Sequence, residues 1–389
     1  MTSGFPGRTE KMTTSESPRK KILVVLGTRP EAIKLAPVIR ELRRLPRSFQ
    51  TIVCSTAQHR EMLDPLLTLF DVRPDYDLNI MRRGQDLAQI TINGLRGLNR
   101  VIAKETPDAV LVQGDTTTAL CGALGGFYHR VRVGHVEAGL RTRDKYAPFP
   151  EEMNRRLITR LADDHFAPTE KAKTALLKEG VPEGRIFVTG NTVIDALLWI
   201  QKKIRRNRPK LPQGVADAIR GRRLVLVTGH RRESFGEGFR NICLAILDVA
   251  NRFRDVVFVY PVHLNPNVRG PVYSILGRHP RIRLAEPLDY APFVWLMAKS
   301  TLILTDSGGV QEEGPSLGKP VLVMREKTER PEGLAAGNAR LVGVRKHKIV
   351  EKMTELLSNA SLRKAMSCAQ NPYGDGHAAK RIVQALDQI

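Results

Sequence analysis

Cysteine is scarce in this chain and aromatic side chains are few: four cysteines, two tryptophans, and 5% Phe, Trp and Tyr together. Cys54, Cys121, Cys243 and Cys368 lie far apart with no CxxC spacing, which excludes a disulfide framework and a thiolate metal cluster. Each sits in or beside an apolar run, so the expectation is four reduced, buried thiols in a cytosol. No apolar run approaches the length of a bilayer span, so no membrane partner is expected and the reading is cytoplasmic. Residues 1–20 are polar, small and basic, without the apolar stretch of a secretory signal, and read as a disordered leader. No His/Asp/Glu set has metal-ligand spacing and no GxGxxG turn occurs, so neither a metal nor another cofactor is expected. Acidic residues are the minority, 40 against 62 Lys and Arg, for a formal charge of +22. That surplus speaks to solubility and to steering of phosphorylated ligands, not to fold. Its densest cluster, 202–210 with 219–223, lacks the interleaved aromatic side chains of a single-strand groove, so no nucleic-acid partner is expected.

What the chain has in plenty is alternation. The β-branched runs 22–27, 51–55, 109–114, 131–135 and 186–190 are separated by amphipathic stretches at 31–45, 60–70, 86–104 and 116–128. Strand, helix, strand, helix predicts a parallel sheet with helices on both faces. The pattern resumes after the basic bridge with runs at 224–229, 256–261, 281–286, 301–306, 320–324 and 340–344, and a last amphipathic helix follows NPYGDG. A length of 389 residues also suits two domains. The fold class is α/β with two Rossmann-like, doubly wound domains: 21–190, then 191–373, with a C-terminal helix over 374–389.

Charged loops gather just past the strand ends, where open α/β sheets bind ligands. Residues 133–156, VGHVEAGLRTRDKYAPFPEEMNRR, read as an active-site wall. GTRPEAIK (27–34) presents Arg29 at a helix N-terminus, a phosphate-friendly arrangement. In QGDTTTA (113–119), Asp115 is by itself an N-cap for the next helix. Together, however, Asp115, Glu137 and Glu151 fall at one cleft, and carboxylates that share a site can push their pKa values apart and supply acid and base. TGHRRESFGEGF (228–239) places His230 straight after a strand as a hydrogen-bond donor for a diphosphate, and His263 lies on the same edge. TDSGGVQEE (305–313) sets Ser307, Gly308 and Gly309 as a phosphate nest. Glu313, about one and a half turns on, is placed for a ribose diol. Arg330 is a second clamp.

In order from Lys21 to the end, GTRPEAIKLAP, TAQHREML, GDTTTA, GHVEAGLRT, PFPEEMNR, TGNTVIDALLW, VTGHRRESFG, YPVHLNPNV, TDSGGVQEE, PSLGKPVLVMR, TERPE and NPYGDG resemble the blocks of the non-hydrolysing UDP-N-acetylglucosamine 2-epimerases. The resemblance implies the two-domain arrangement shared with GT-B glycosyltransferases, active site in the interdomain cleft, and the C-terminal helix crossing back to the first domain. It implies Asp115, Glu137 and Glu151 as catalytic carboxylates with His230 at the diphosphate. Arg29, Lys34, Ser307, Gly308, Gly309, Glu313 and Arg330 would hold UDP, with Phe293 near the base. Gln58, Arg231 and His263 match positions for a second, activating UDP-N-acetylglucosamine. The reaction implied is reversible epimerisation at C2 to UDP-N-acetylmannosamine by anti elimination and re-addition of UDP, without nicotinamide, supplying sugars for cell-surface polysaccharide; a homodimer is the expected assembly. Gln113 and Leu288 depart from the family pattern, where some relatives carry His and Gln. A retaining glycosyltransferase, a hydrolysing epimerase and a nucleic-acid-binding protein are the alternatives.

Overall fold

The computed structural model describes residues 19–57, 60–82 and 84–388, and in it the alternating runs become two parallel sheets. The first holds β1 (Lys20–Leu26), β2 (Phe49–Ser55), β3 (Tyr76–Asp77), β4 (Ala109–Gln113), β5 (Arg132–Val136), β6 (Asp164–Ala167) and β7 (Ile186–Val188), in the order β3-β2-β1-β4-β5-β6-β7. The second holds β8 (Arg223–Thr228), β9 (Val256–Pro261), β10 (Ile282–Ala285), β11 (Leu302–Thr305), β12 (Val321–Val323) and β13 (Ala339–Leu341), in the order β10-β9-β8-β11-β12-β13. Helices cover both faces, which is why the central strands are apolar throughout rather than alternating: Leu23, Val24, Val25 and Leu26 are all fully buried. This is the two-domain α/β architecture expected from the sequence.

The chain reverses direction across each sheet at β1/β4 and at β8/β11. There the loops leaving adjacent strands diverge to opposite faces and open a crevice at the carboxyl edge. Two strands are additions to the sequence reading. β3 has two residues, and β6 reads Asp-His-Phe-Ala, with two titratable side chains in four positions. The last run is shorter than expected, Ala339–Leu341 instead of 340–344, because Gly343 turns at φ +62. Cys54, Cys121 and Cys243 are buried as expected, but Cys368 is exposed, at the end of helix Ala360–Cys368 on the surface.

Helix Thr192–Arg206 joins the halves. Its Ile194, Leu197 and Ile200 share one apolar cluster with Ile33 and Leu35 of helix Arg29–Arg43 and with Tyr290 and Val294 of helix Tyr290–Lys299. The terminal helix Ala378–Gln388 lies against helix Arg29–Arg43, burying Ile382, Val383 and Leu386. Each such side chain contributes roughly 1.5–3 kcal/mol. Asp195 caps that helix by accepting from the N–H groups of Ala378 (3.2 Å) and Ala379 (3.0 Å), and Lys20 Nζ donates to Leu386 O (3.1 Å) and Asp387 O (2.8 Å). Among the described residues no helix is long and apolar enough to cross a membrane.

Candidate active site

The turn after β1 admits only glycine at its start. A Cβ on Gly27 would stand 2.0 Å from Thr56 Oγ1 and 2.6 Å from Thr118 Oγ1. Fully buried Glu31 closes this turn. Its Oε2 accepts from the N–H groups of Gly27 (3.0 Å) and Thr28 (2.8 Å) and from the Thr28 hydroxyl (2.8 Å), while Oε1 accepts from the Thr116 hydroxyl at 2.6 Å. Burial pushes the Glu31 carboxyl up to about 7 against those bonds. The turn that starts the helix carrying Arg29 and Lys34 is thereby tied to the loop carrying Asp115.

Asp115 is not the N-cap that its position suggests. Thr116 takes that place, its Oγ1 accepting from Ala119 N at 3.0 Å. The Asp115 carboxylate is left facing the crevice, with Arg155 Nη2 at 2.5 Å. Burial raises its pKa against the pull of Arg155. Glu137, one residue past β5, has φ +64, a left-handed conformation that costs a residue with a Cβ about 1–3 kcal/mol and persists only where the surroundings enforce it. Three donors do so: Lys34 Nζ (2.5 Å), Asn191 Nδ2 (3.3 Å) and Gln113 Nε2. Burial works to raise the Glu137 pKa, but Lys34 and Arg330 outweigh it and hold the carboxyl below its ordinary value. Glu151 starts helix Glu151–Leu161 on the same crevice, and its Oε2 is buried without a hydrogen-bond partner. Glu152 serves the loop instead of the crevice. Fully buried, it accepts from the N–H groups of Thr142 (3.0 Å) and Arg143 (3.2 Å) and anchors that long segment.

Across the crevice, Asp306 shapes the turn after β8. Its Oδ2 accepts from the N–H groups of His230 (2.7 Å) and Arg231 (2.8 Å), and its Oδ1 lies 3.2 Å from His230 Nδ1. Burial draws the His230 pKa down against Asp306. The rings of His230 and His263 stack with centroids 5.7 Å apart. His263 therefore stands beside His230, while Arg231 has its Nη2 3.8 Å from Glu329 Oε1, and Gln58 lies outside the described residues. Ser307 is the N-cap of helix Gly308–Ser316, and its hydroxyl makes no cap bond. The first-turn N–H groups of that helix are therefore without a side-chain cap at the crevice edge. A Cβ on Gly308 would lie 3.5 Å from Arg330 Cζ, so the guanidinium rests against the helix start. Arg330 Nε donates to buried Glu312 Oε1 at 2.8 Å. Glu313 accepts from the Tyr290 hydroxyl at 2.5 Å, and burial pushes its carboxyl up to about 7.

Two cavities of about 470 Å³ each meet here. One is walled by His230, His263, Leu288, Tyr290, Phe293, Ser307, Gly309 and Glu313. The other is walled by Gln113, Asp115, Glu137, Glu151 and Arg155. Arg29, Pro30, Lys34 and Arg330 line both, which makes them the two ends of a single crevice between the sheets. One end offers an aromatic wall, a helix N-terminus and a carboxyl; the waist offers cations; the other end offers carboxylates of opposed pKa. That sequence of surfaces matches a base and ribose, a diphosphate, and a polar group whose protons are to be moved. Sequence reasoning does not single out Glu31, Arg155, Asn191, Asp306 and Glu312 as parts of this site. Two carry a signal: the Thr28-to-Glu31 capping-box spacing, and Arg155 four residues beyond Glu151 on one helix face.

The fold and crevice have close counterparts. The family model described as UDP-N-acetylglucosamine 2-epimerase matches residues 40–387. The UDP-N-acetylglucosamine 2-epimerase of Escherichia coli (strain K12) is 56% identical over 369 residues, 94% of this chain and 98% of that one. The crystal structure of the Neisseria meningitidis UDP-GlcNAc 2-epimerase bound to UDP-GlcNAc superposes with a TM-score of 0.86 at 48% identity, covering 95% of this chain and all of that one (100%). The Methanocaldococcus jannaschii UDP-GlcNAc 2-epimerase in complex with UDP-GlcNAc and UDP follows at 0.80 and 35%, covering 95% and 100%. Likeness of this extent, in sequence and in the GT-B-like placing of two sheets about one crevice, means that the chain belongs to the UDP-N-acetylglucosamine 2-epimerase family.

Proposed function

We propose that the protein interconverts UDP-N-acetylglucosamine and UDP-N-acetylmannosamine by anti elimination of UDP to 2-acetamidoglucal and re-addition. The observation that carries this reading is the continuous crevice: a nucleotide-shaped end joined through Arg29, Lys34 and Arg330 to an end holding three carboxylates. The C2 hydrogen of the sugar is not acidic, so the C1–O bond must break as it leaves. A carboxylate takes the C2 proton, the C–H electron pair forms the C1–C2 double bond, and the C1–O pair departs with UDP. In the return, a carboxylic acid gives a proton to the opposite face of C2 while a UDP oxygen bonds to C1. Glu137, held ionised, suits the accepting part, and Asp115, with its raised pKa, the donating part. Arg29, Lys34, Arg330, His230 and the Ser307–Gly309 turn stand where charge grows on the departing diphosphate, where preorganised donors act most strongly.

The same reading includes a second UDP-N-acetylglucosamine held beside His230 by Arg231 and His263, with Gln58, as an activator, and a homodimer as the working assembly. Its product would feed the making of N-acetylmannosamine-containing cell-surface polysaccharide. The test is isotopic. Conversion in heavy water should place deuterium at C2 of the product, and oxygen-18 in the C1–O bridge should scramble into the non-bridging oxygens of the β-phosphate. A product that keeps its C2 hydrogen and an unmoved oxygen label rejects elimination.

A further inference from the structure

The carboxylate that the proposed reaction relies on, Glu137, is wired to the other half of the chain through a single amide. Asn191 stands between β7 and helix Thr192–Arg206 at the crossing from the first sheet to the second, and it is 3% exposed. Every polar group it owns is committed, its backbone carbonyl accepting from Ile194 N at 3.1 Å. Its backbone N–H donates to Tyr373 O at 2.8 Å, in the segment that returns the chain to the first sheet. Its Oδ1 caps the joining helix, accepting from Val193 N at 3.0 Å. Its Nδ2 donates twice, to Glu137 Oε1 at 3.3 Å and to Glu312 Oε2 at 3.1 Å.

The two acceptors come from opposite halves, Glu137 after β5 and Glu312 from helix Gly308–Ser316, and both are buried. Two carboxylates this close in a buried site repel, and the amide stands between them with one N–H donated to each. Glu312 is held on its other oxygen by Arg330, and Glu137 Oε1 takes the amide together with Lys34 Nζ while Gln113 holds Oε2; Arg330 and Lys34 are cations shared by both ends of the crevice. Both amide bonds can exist together only in one relative setting of the sheets.

On the reading proposed above, we infer that Asn191 is a positioning residue for the reaction: closure of the crevice brings Glu312 up to the amide, and the amide sets the Glu137 carboxylate toward the sugar. Glu312 acts at one remove, by fixing the amide and Arg330 together. Neither residue touches the reacting atoms. The charged groups facing Glu137 are Lys34, Arg155 and Arg330 on one side of the balance and Asp115 and Glu312 on the other.

Asn191→Asp keeps the helix-cap acceptor but replaces both donated bonds with a third negative charge. Turnover is expected to fall about tenfold or more while UDP affinity, which rests on the Ser307–Glu313 end, changes by less than about threefold. The acid limb of its pH–rate profile should move upward, since a neighbouring carboxylate makes Glu137 harder to ionise. The second change Glu312→Gln, added to Asn191→Asp, removes one of the three charges and should restore part of the lost turnover. An unmoved acid limb, or losses of turnover and UDP affinity that are equal and not relieved in the double variant, overturns the inference. If Asn191→Asp fails to fold, Asn191→Ser, which retains a cap acceptor and lacks the paired donors, is read for the same split between turnover and UDP affinity. Wild-type protein that shows no C2 deuterium exchange rejects the elimination reading itself; exchange in wild type with unaltered variants rejects only the part given to Asn191.

Discussion

Burial pushes the Glu313 carboxyl up to about 7, and on the proposed reading a ribose diol asks it to give up its proton. Below about 7 the carboxyl keeps a hydrogen and loses an acceptor; above it, both oxygens can accept from hydroxyl groups. UDP affinity should therefore rise by about three- to tenfold between pH 6 and pH 8, as deprotonation removes the cost of ionising the group on binding. Isothermal titration of the wild type and of Glu313→Gln checks it, because the substitution leaves the phosphate's own titration in place and removes only the carboxyl's share. Equal slopes in the two proteins would reject the diol assignment. At this scale the sequence is legible where a polar residue stands just after a strand, since topology alone carries Asp115 and Glu137 to the carboxyl edge of the first sheet and His230 to that of the second. It misleads at Asp115, where a threonine one step on does the capping. It is silent for Tyr290, whose contact with Glu313 depends on how two helices meet.

Strands β5 and β6 each place a histidine in the sheet interior, and the two are register partners, His135 opposite His165. His135 Nε2 donates to Gly114 O across 2.7 Å, next to Asp115. Burial pushes the pKa of His135 down to about 3 and that of His165 down to about 4. A histidine depressed in the folded state takes up its proton first when unfolded, so its contribution is whole above about 6.5 and is lost as pH falls toward the folded value. Glu31 and Glu313 act oppositely: raised to about 7, they bind protons in the folded state, and their contribution declines as pH rises from about 4.5 to 7. Two groups of each kind nearly cancel between pH 5 and 6.5. The urea midpoint of the wild type should accordingly be flat there, while Glu31→Gln should gain stability with pH at about 1.4 kcal/mol per unit and His165→Asn should lose it at a similar rate. Like-signed slopes in the two variants would contradict this account. The same side chains explain why β6 escapes the sequence: Asp-His-Phe-Ala has neither the apolar run nor the alternation by which the other strands announce themselves, and only its neighbours on both sides make it a strand.

For the whole molecule, the proposed function draws ligand groups from both sheets, Arg29 and Asp115 from one and His230 and Glu313 from the other, and on that reading the site is complete only with the crevice shut. A second nucleotide sugar beside His230 can favour the shut form only through higher affinity for it. With UDP-N-acetylmannosamine as sole substrate, turnover should therefore begin slowly and accelerate when UDP-N-acetylglucosamine is added; a linear start unaffected by the addition would count against an activating site. The two-sheet plan is readable from alternation because each run is independent of the others. How the sheets are joined is not, since Asn191, Asp195 and Tyr373 meet only after the chain has folded over a separation of about half its length. That joining has a consequence in time. The helix at Arg29–Arg43 is covered by the helix at Ala378–Gln388, so on the ribosome the first-made sheet waits for the last-made segment. At ~5–20 residues per second the interval is roughly 20–70 s. Through that interval an apolar face of the nascent first half stands open, and loss of the final helix should injure the beginning of the protein sooner than its end.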